Sequence, residues 1–201
     1  MTTNQMKEII EALALMSSWE ITAALLGVAY VILAAKESLW TWVFGFASTL
    51  IYTIIFWEGA LVSSSLLNFY YMIMAVYGFY AWRKGQENEK LKITSYSFSK
   101  NLKIITSGVI ASIIIGYLSS TYTDAKLAYM DSFVLSFSVL ATWMLTQKVL
   151  ENWLYWLIID SVAIVLYWKM GYLATVMLFV VYIVLGAYAY LTWRKEFNSY
   201  I

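Results

Sequence analysis

The sequence predicts an all-α polytopic membrane protein, with seven transmembrane helices arranged as two parallel three-helix repeats around one linking helix. Three observations carry that reading. Of 201 residues, 62% are hydrophobic and only 12% charged, against roughly 45–50% and 25% in an ordinary soluble domain. Seven apolar stretches each approach or exceed the ~17–20 residues that cross a bilayer. Finally, the chain resembles itself at an offset of 111 residues.

Residues 1–18 (MTTNQMKEIIEALALMSS) carry Lys7, Glu8 and Glu11. They lack the positive start and small-residue cleavage site of a signal peptide, and read as a retained, weakly amphipathic lead-in helix. The spans follow at about 20–36, 39–56, 60–82, 102–119, 131–147, 152–168 and 172–193. Tight connections (AKES, WEGA, QKVLEN, WKMG) keep several of them short. Residues 83–101 form the only long polar loop, with charges of both signs.

Orientation follows from Lys and Arg in the loops. With the N-terminus outside, the inner side carries ten of them, Lys36, Arg83, Lys84, Lys90, Lys92, Lys100, Lys103, Lys148, Arg194 and Lys195; the outer side carries only Lys7, Lys126 and Lys169. Cytoplasmic loops favour positive charge, so the N-terminus goes out and the C-terminus in.

The internal repeat pairs WRK at 82–84 with WRK at 193–195. The same offset matches Trp42 with Trp153, Trp57 with Trp168, Tyr71 with Tyr182 and Tyr77 with Tyr188, and sets Glu20 on Asp131. The expected organisation is a lead-in (1–18), repeat 1 (19–84), a loop and linking helix (85–129), repeat 2 (130–195) and a cytoplasmic tail (196–201). An odd linker lets both repeats point the same way, as in SWEET-type carriers, with a path between the halves.

Composition removes whole chemistries. There is no histidine and no cysteine, which excludes His-based triads, imidazole shuttles, disulfides, thiol catalysis and His or Cys metal sites. No cofactor or metal is expected, and a net charge of +1 makes no case for nucleic acid. Without proline, hinges must come from glycine and helix ends.

Most tryptophans lie at span ends: Trp19, Trp40, Trp42, Trp57, Trp82, Trp153, Trp168 and Trp193. They read as an aromatic belt at headgroup level. Trp143 and Trp156 lie further in. Asp160 is the exception among the charges, at the middle of its span and ~12 Å from each interface at 1.5 Å per residue. An Asp there costs roughly 2.5–3.5 kcal/mol, so it marks a functional site or a hydrogen-bonded helix contact. Asn68 sits at similar depth in the third span, as helix glue or as a ligand contact. Trp153, Trp156 and Asp160 fall on one helical stripe and suit a cation: the carboxylate supplies charge, the indole faces cation–π attraction. The matching stripe in repeat 1, Trp42, Gly45 and Thr49, lacks that bulk and charge.

The stretch VLENWLYWLIID resembles the W-x-x-W-x-x-x-N motif of the PnuC vitamin transporters; the similarity extends to MDSFVLSFSVLATWM and SLLNFYYMIMAVYGFYAW and covers about 19–195. The resemblance implies a 3+1+3 fold, a homotrimer in the bacterial cytoplasmic membrane and uptake of B-type vitamins by facilitated diffusion, trapped inside by phosphorylation. Two positions depart from the pattern: the motif's Asn is Asp160, and a third-helix Gln is Asn68. An ionised carboxylate only accepts hydrogen bonds, which suits a cation bearing donors. Thiamine, carried by the family's PnuT group, is therefore the first expectation. Nicotinamide riboside, also a cation, is the alternative, and neutral riboflavin ranks third. The expected substrate contacts are Asp160, Trp156, Asn68, Trp153, Tyr71 and Thr49. The competing class is a non-transporting membrane subunit or an enzyme. A hydrolase would need a Ser–Lys pair or paired carboxylates near the midplane, and neither is evident; no enzymatic activity is expected.

Overall fold

The computed structural model describes residues 16–58, 62–88 and 91–199, with Glu11 and Ala14. Within them lie seven α-helices: α1 (Ser18–Ala35), α2 (Trp40–Glu58), α3 (Val62–Asn88), α4 (Phe98–Tyr122), α5 (Ala128–Thr146), α6 (Asn152–Met170) and α7 (Leu173–Asn198). Six are long and apolar enough to cross a membrane; α3 falls short because polar residues crowd both of its ends. Most of the lead-in segment, residues 1–10, 12, 13 and 15, lies outside the described residues. The polar loop is shorter than expected, since α3 runs on to Asn88 and α4 begins at Phe98. A helix satisfies its own backbone where a charged loop would not, and Lys and Arg near helix ends reach the interface by extending their side chains.

Local chemistry sets several ends. At α1 a capping box forms: the Glu20 amide donates to Ser17 Oγ, and the Ser17 amide donates to the Glu20 carboxylate at 2.6 Å. Ser97 caps α4 in the simpler way. Gly171, at φ 81°, stops α6 in the left-handed conformation that glycine adopts without steric cost.

The repeat is visible in the helix boundaries. Shifted by 111, every end of α1, α2 and α3 falls within one residue of an end of α5, α6 and α7. Neighbouring helices pack within each unit, while α1 packs on α7 and α3 on α5 across the units. Among the described helices α4 packs against α5 alone. Helix α5 is the most enclosed, and its buried Ser132, Ser136, Ser138 and Thr142 let neighbouring backbones approach closely.

The aromatic-belt reading needs correction for half of its members. Trp19, Trp40, Trp57 and Trp168 are exposed, but Trp42, Trp82, Trp153 and Trp193 are at most 3% exposed. They form one connected layer between the units. Trp42 meets Trp82 edge-on at 5.1 Å, Trp153 meets Trp193 edge-on at 5.4 Å, and Trp82 and Trp193 join the two pairs at 6.2 Å. Trp143, expected further in, is instead 47% exposed in the last turn of α5 and stacks on Tyr77.

Candidate functional site

Asp160 is the ninth residue of α6, so ~12 Å of helix precede it and ~15 Å follow. It is buried, at 4% exposure. Its helix neighbours Ile159 and Ala163 are buried with it, which turns this face of α6 toward protein rather than lipid. No Lys or Arg among the described residues is paired with it. A carboxylate in such a place has no counter-charge, and a bound cation would supply one.

Two tyrosines lie close enough for the Asp160 charge to act on them: Tyr71 from α3 and Tyr182 from α7. They are the pair that the 111-residue offset matches. The Tyr182 hydroxyl sits over Gly27 of α1, closer than a β-carbon there would allow. Glycine at 27 is thus what lets Tyr182 reach in. The group draws on α1, α3, α6 and α7, so it lies where the two units meet.

The expected residues separate into those this junction gathers and those it does not. Asp160 and Tyr71 lie within electrostatic reach of each other. Trp156, half-buried, packs against both apolar clusters and so bridges the tryptophan layer and the Asp160 region. Trp153 is spent in the layer itself, against Trp193. Thr49, the repeat counterpart of Asp160, turns its hydroxyl back onto Gly45 O at 2.8 Å, and Asn68 Nδ2 donates to Ser64 O at 2.9 Å. Those bonds satisfy a donor within the same helix and leave the Asn68 carbonyl oxygen for another partner. Sequence reasoning missed Tyr182. The signal for it was present, because it is the offset partner of Tyr71.

Among the described residues no cluster of acidic side chains is suited to a metal. A separate open pocket lies at the inner end of α1 and α7, bordered by Lys36, Glu37, Lys195 and Glu196, and is not part of the Asp160 group.

Comparison with known proteins gives a consistent picture. The profile of the nicotinamide mononucleotide transporter family matches residues 17–195. The nicotinamide riboside transporter PnuC of Escherichia coli is 26% identical over 181 residues, covering 77% of this chain and 76% of the relative. The riboflavin/roseoflavin transporter RibM of Streptomyces davaonensis is 24% identical over 162 residues, covering 79% and 76%. The PnuC of Neisseria mucosa is 24% identical over 188 residues, covering 86% and 70%. A crystal structure of the vitamin B3 transporter PnuC superimposes with a TM-score of 0.75 at 20% identity, over 100% of this chain and 94% of that one. That match shows a shared fold.

Proposed function

The chain belongs to the nicotinamide mononucleotide transporter family, and from that premise we propose that this multi-pass protein of the bacterial cytoplasmic membrane takes up nicotinamide riboside by facilitated diffusion. The observation that supports the reading is Asp160, a buried carboxylate at mid-helix without a basic partner among the described residues. Nicotinamide riboside carries a fixed pyridinium charge, which supplies the missing counter-ion, and hydroxyl groups that donate to a carboxylate. Tyr71 and Tyr182 offer further polar contacts, and Trp156 an aromatic wall. Asn68, Trp153 and Thr49 complete the proposed set, with Trp153 acting through the tryptophan layer. A single carboxylate neutralised by its own substrate needs no coupling ion, which favours uniport. Phosphorylation in the cytoplasm then holds the vitamin inside, and the protein assembles as a homotrimer.

Thiamine is the second reading, favoured by one observation: an aspartate stands where the resemblance gives an asparagine. Asparagine offers a donor and an acceptor to a carboxamide; aspartate offers only acceptors and charge. Binding of nicotinamide riboside, thiamine and riboflavin to the purified protein, and to Asp160→Asn, tests both readings. Nicotinamide riboside is expected to bind the parent best. Asp160→Asn should lower thiamine affinity by at least about tenfold and affect nicotinamide riboside less, since its carboxamide can use the new amide. Stronger binding of thiamine to the parent would turn the assignment to the second reading. Preferential binding of neutral riboflavin would remove the role given to the Asp160 charge.

A further inference from the structure

The two units also meet at their inner ends, in the turns between α1 and α2 and between α5 and α6. Glu37 and Lys148 occupy these turns at positions 111 apart. Among the described residues they are the two non-glycine residues at positive φ, 52° and 51°. Their side chains pair, Lys148 Nζ to Glu37 Oε2 at 2.6 Å, and are only 5% and 14% exposed. The ammonium also stands 4.7 Å from the Trp82 ring. Around a pseudo-two-fold axis equivalent residues face one another, so like charges would repel there. A Glu in one repeat against a Lys in the other turns the same juxtaposition into attraction. Behind the pair lies the layer of four indoles, itself arranged about the same axis.

The two turns are not equally held. Residues 91–97 run along the Lys148 turn as a strap: Thr94 N donates to Lys148 O at 2.9 Å, and Leu150 N to Thr94 O at 2.8 Å. Beside them Glu151 accepts from Tyr96 N and from Ser95 Oγ. The strap leads into α4, which packs on α5. Around Glu37 the backbone bonds of the turn stay within residues 32–42. One turn is strapped by backbone bonds to the segment leading into the linking helix; the other is tied outside its own hairpin by a side-chain bond, Trp193 Nε1 to Ala34 O.

We propose that the Glu37–Lys148 pair is the latch of an inner gate. With the pair made, the tryptophan layer shuts the inner end. When it parts, the bonds of Trp82 Nε1 to Thr146 O and Trp193 Nε1 to Ala34 O part with it, α1–α3 swing away from a fixed body of α4–α7, and both charges regain water as the end opens. Neutralising one partner strands the other charge in the closed state only, and so shifts the population toward the open one. The latch is independent of which vitamin the protein carries, because neither residue touches the Asp160 group.

The test needs no substrate. The chain has no cysteine, so Ala75→Cys gives a single reporter. Ala75 is 4% exposed and lies in α3 two turns before Trp82, ~10 Å deeper. In proteoliposomes of known orientation, a membrane-impermeant thiol reagent is applied from the side where α3 and α7 end. The parent reporter should label slowly. Adding Glu37→Gln should speed labelling about tenfold, as for 1.4 kcal/mol of relative destabilisation of the closed state. The reversed pair, Glu37→Lys with Lys148→Glu, should label slowly again. Glu37→Gln labelling at the parent rate, or a reversed pair labelling as fast as Glu37→Gln, would overturn the latch. Glu37→Gln is isosteric and lies at the more exposed partner, so it decides the question even where variants at Lys148 do not fold.

Discussion

Trp82 and Trp193, equivalent residues of the two repeats, face each other with ring centroids 6.2 Å apart, and each ties itself to the other's unit. Trp82 Nε1 donates to Thr146 O at the end of α5, and Trp193 Nε1 to Ala34 O at the end of α1, both at 3.1 Å. Last-turn carbonyls lack helical donors, and an indole fills apolar space while offering one N–H. The exchange joins the units by reciprocal bonds as well as by packing.

Trp82→Phe keeps a ring but leaves the Thr146 carbonyl without its indole donor, while Trp193→Phe leaves Ala34 O with the Glu37 amide at 3.0 Å. Trp82→Phe is expected to lower stability by about 1–3 kcal/mol and Trp193→Phe by less, read as a fall in the unfolding midpoint in detergent. Because the rings touch, the double variant should depart from additivity. Two independent, additive losses would mean that the contact between them contributes nothing.

Gly27→Ala drives a methyl into the Tyr182 hydroxyl, and a tyrosine ring cannot bend away. Overpacking of this kind costs about 1–3 kcal/mol. Tyr182→Phe removes the obstructing oxygen, so the double variant should recover most of the lost stability. Failure to recover would place the strain elsewhere, for instance on Ser48, whose Oγ lies 3.4 Å from the same methyl.

Proteoliposomes loaded with buffer alone should bring nicotinamide riboside to equal concentrations on both sides and no further. Imposed proton or sodium gradients are expected to leave that endpoint unchanged. Accumulation above the outside concentration, with nothing inside to trap the substrate, would replace uniport with ion coupling.

Much of the architecture is a one-dimensional property. Hydropathy and length locate the spans because the bilayer demands an apolar, internally hydrogen-bonded helix of set length. The 111-residue offset carries the pairing of α1–α3 with α5–α7, and the depth of Asp160 follows from counting residues along α6. The match of Tyr71 to Tyr182 was equally open to reading, although its meaning for the Asp160 group was not.

The rest depends on rotation and approach, which no count along the chain contains. A tryptophan at a span end has the same hydropathy whether it faces lipid, as Trp57 does, or another unit, as Trp82 does. The difference is the angle at which the helix is set against its neighbours. Lys148 likewise looks like one more inner-side cation, and only the pseudo-two-fold brings Glu37 to within 2.6 Å of it. Sequence by itself determined how many helices there are, how they repeat and which residue is costly at the midplane, because those follow from transfer energies of residues taken in order. Tertiary structure alone decided which aromatics pack between the units and which charges pair at their inner ends, because those are contacts between segments far apart along the chain.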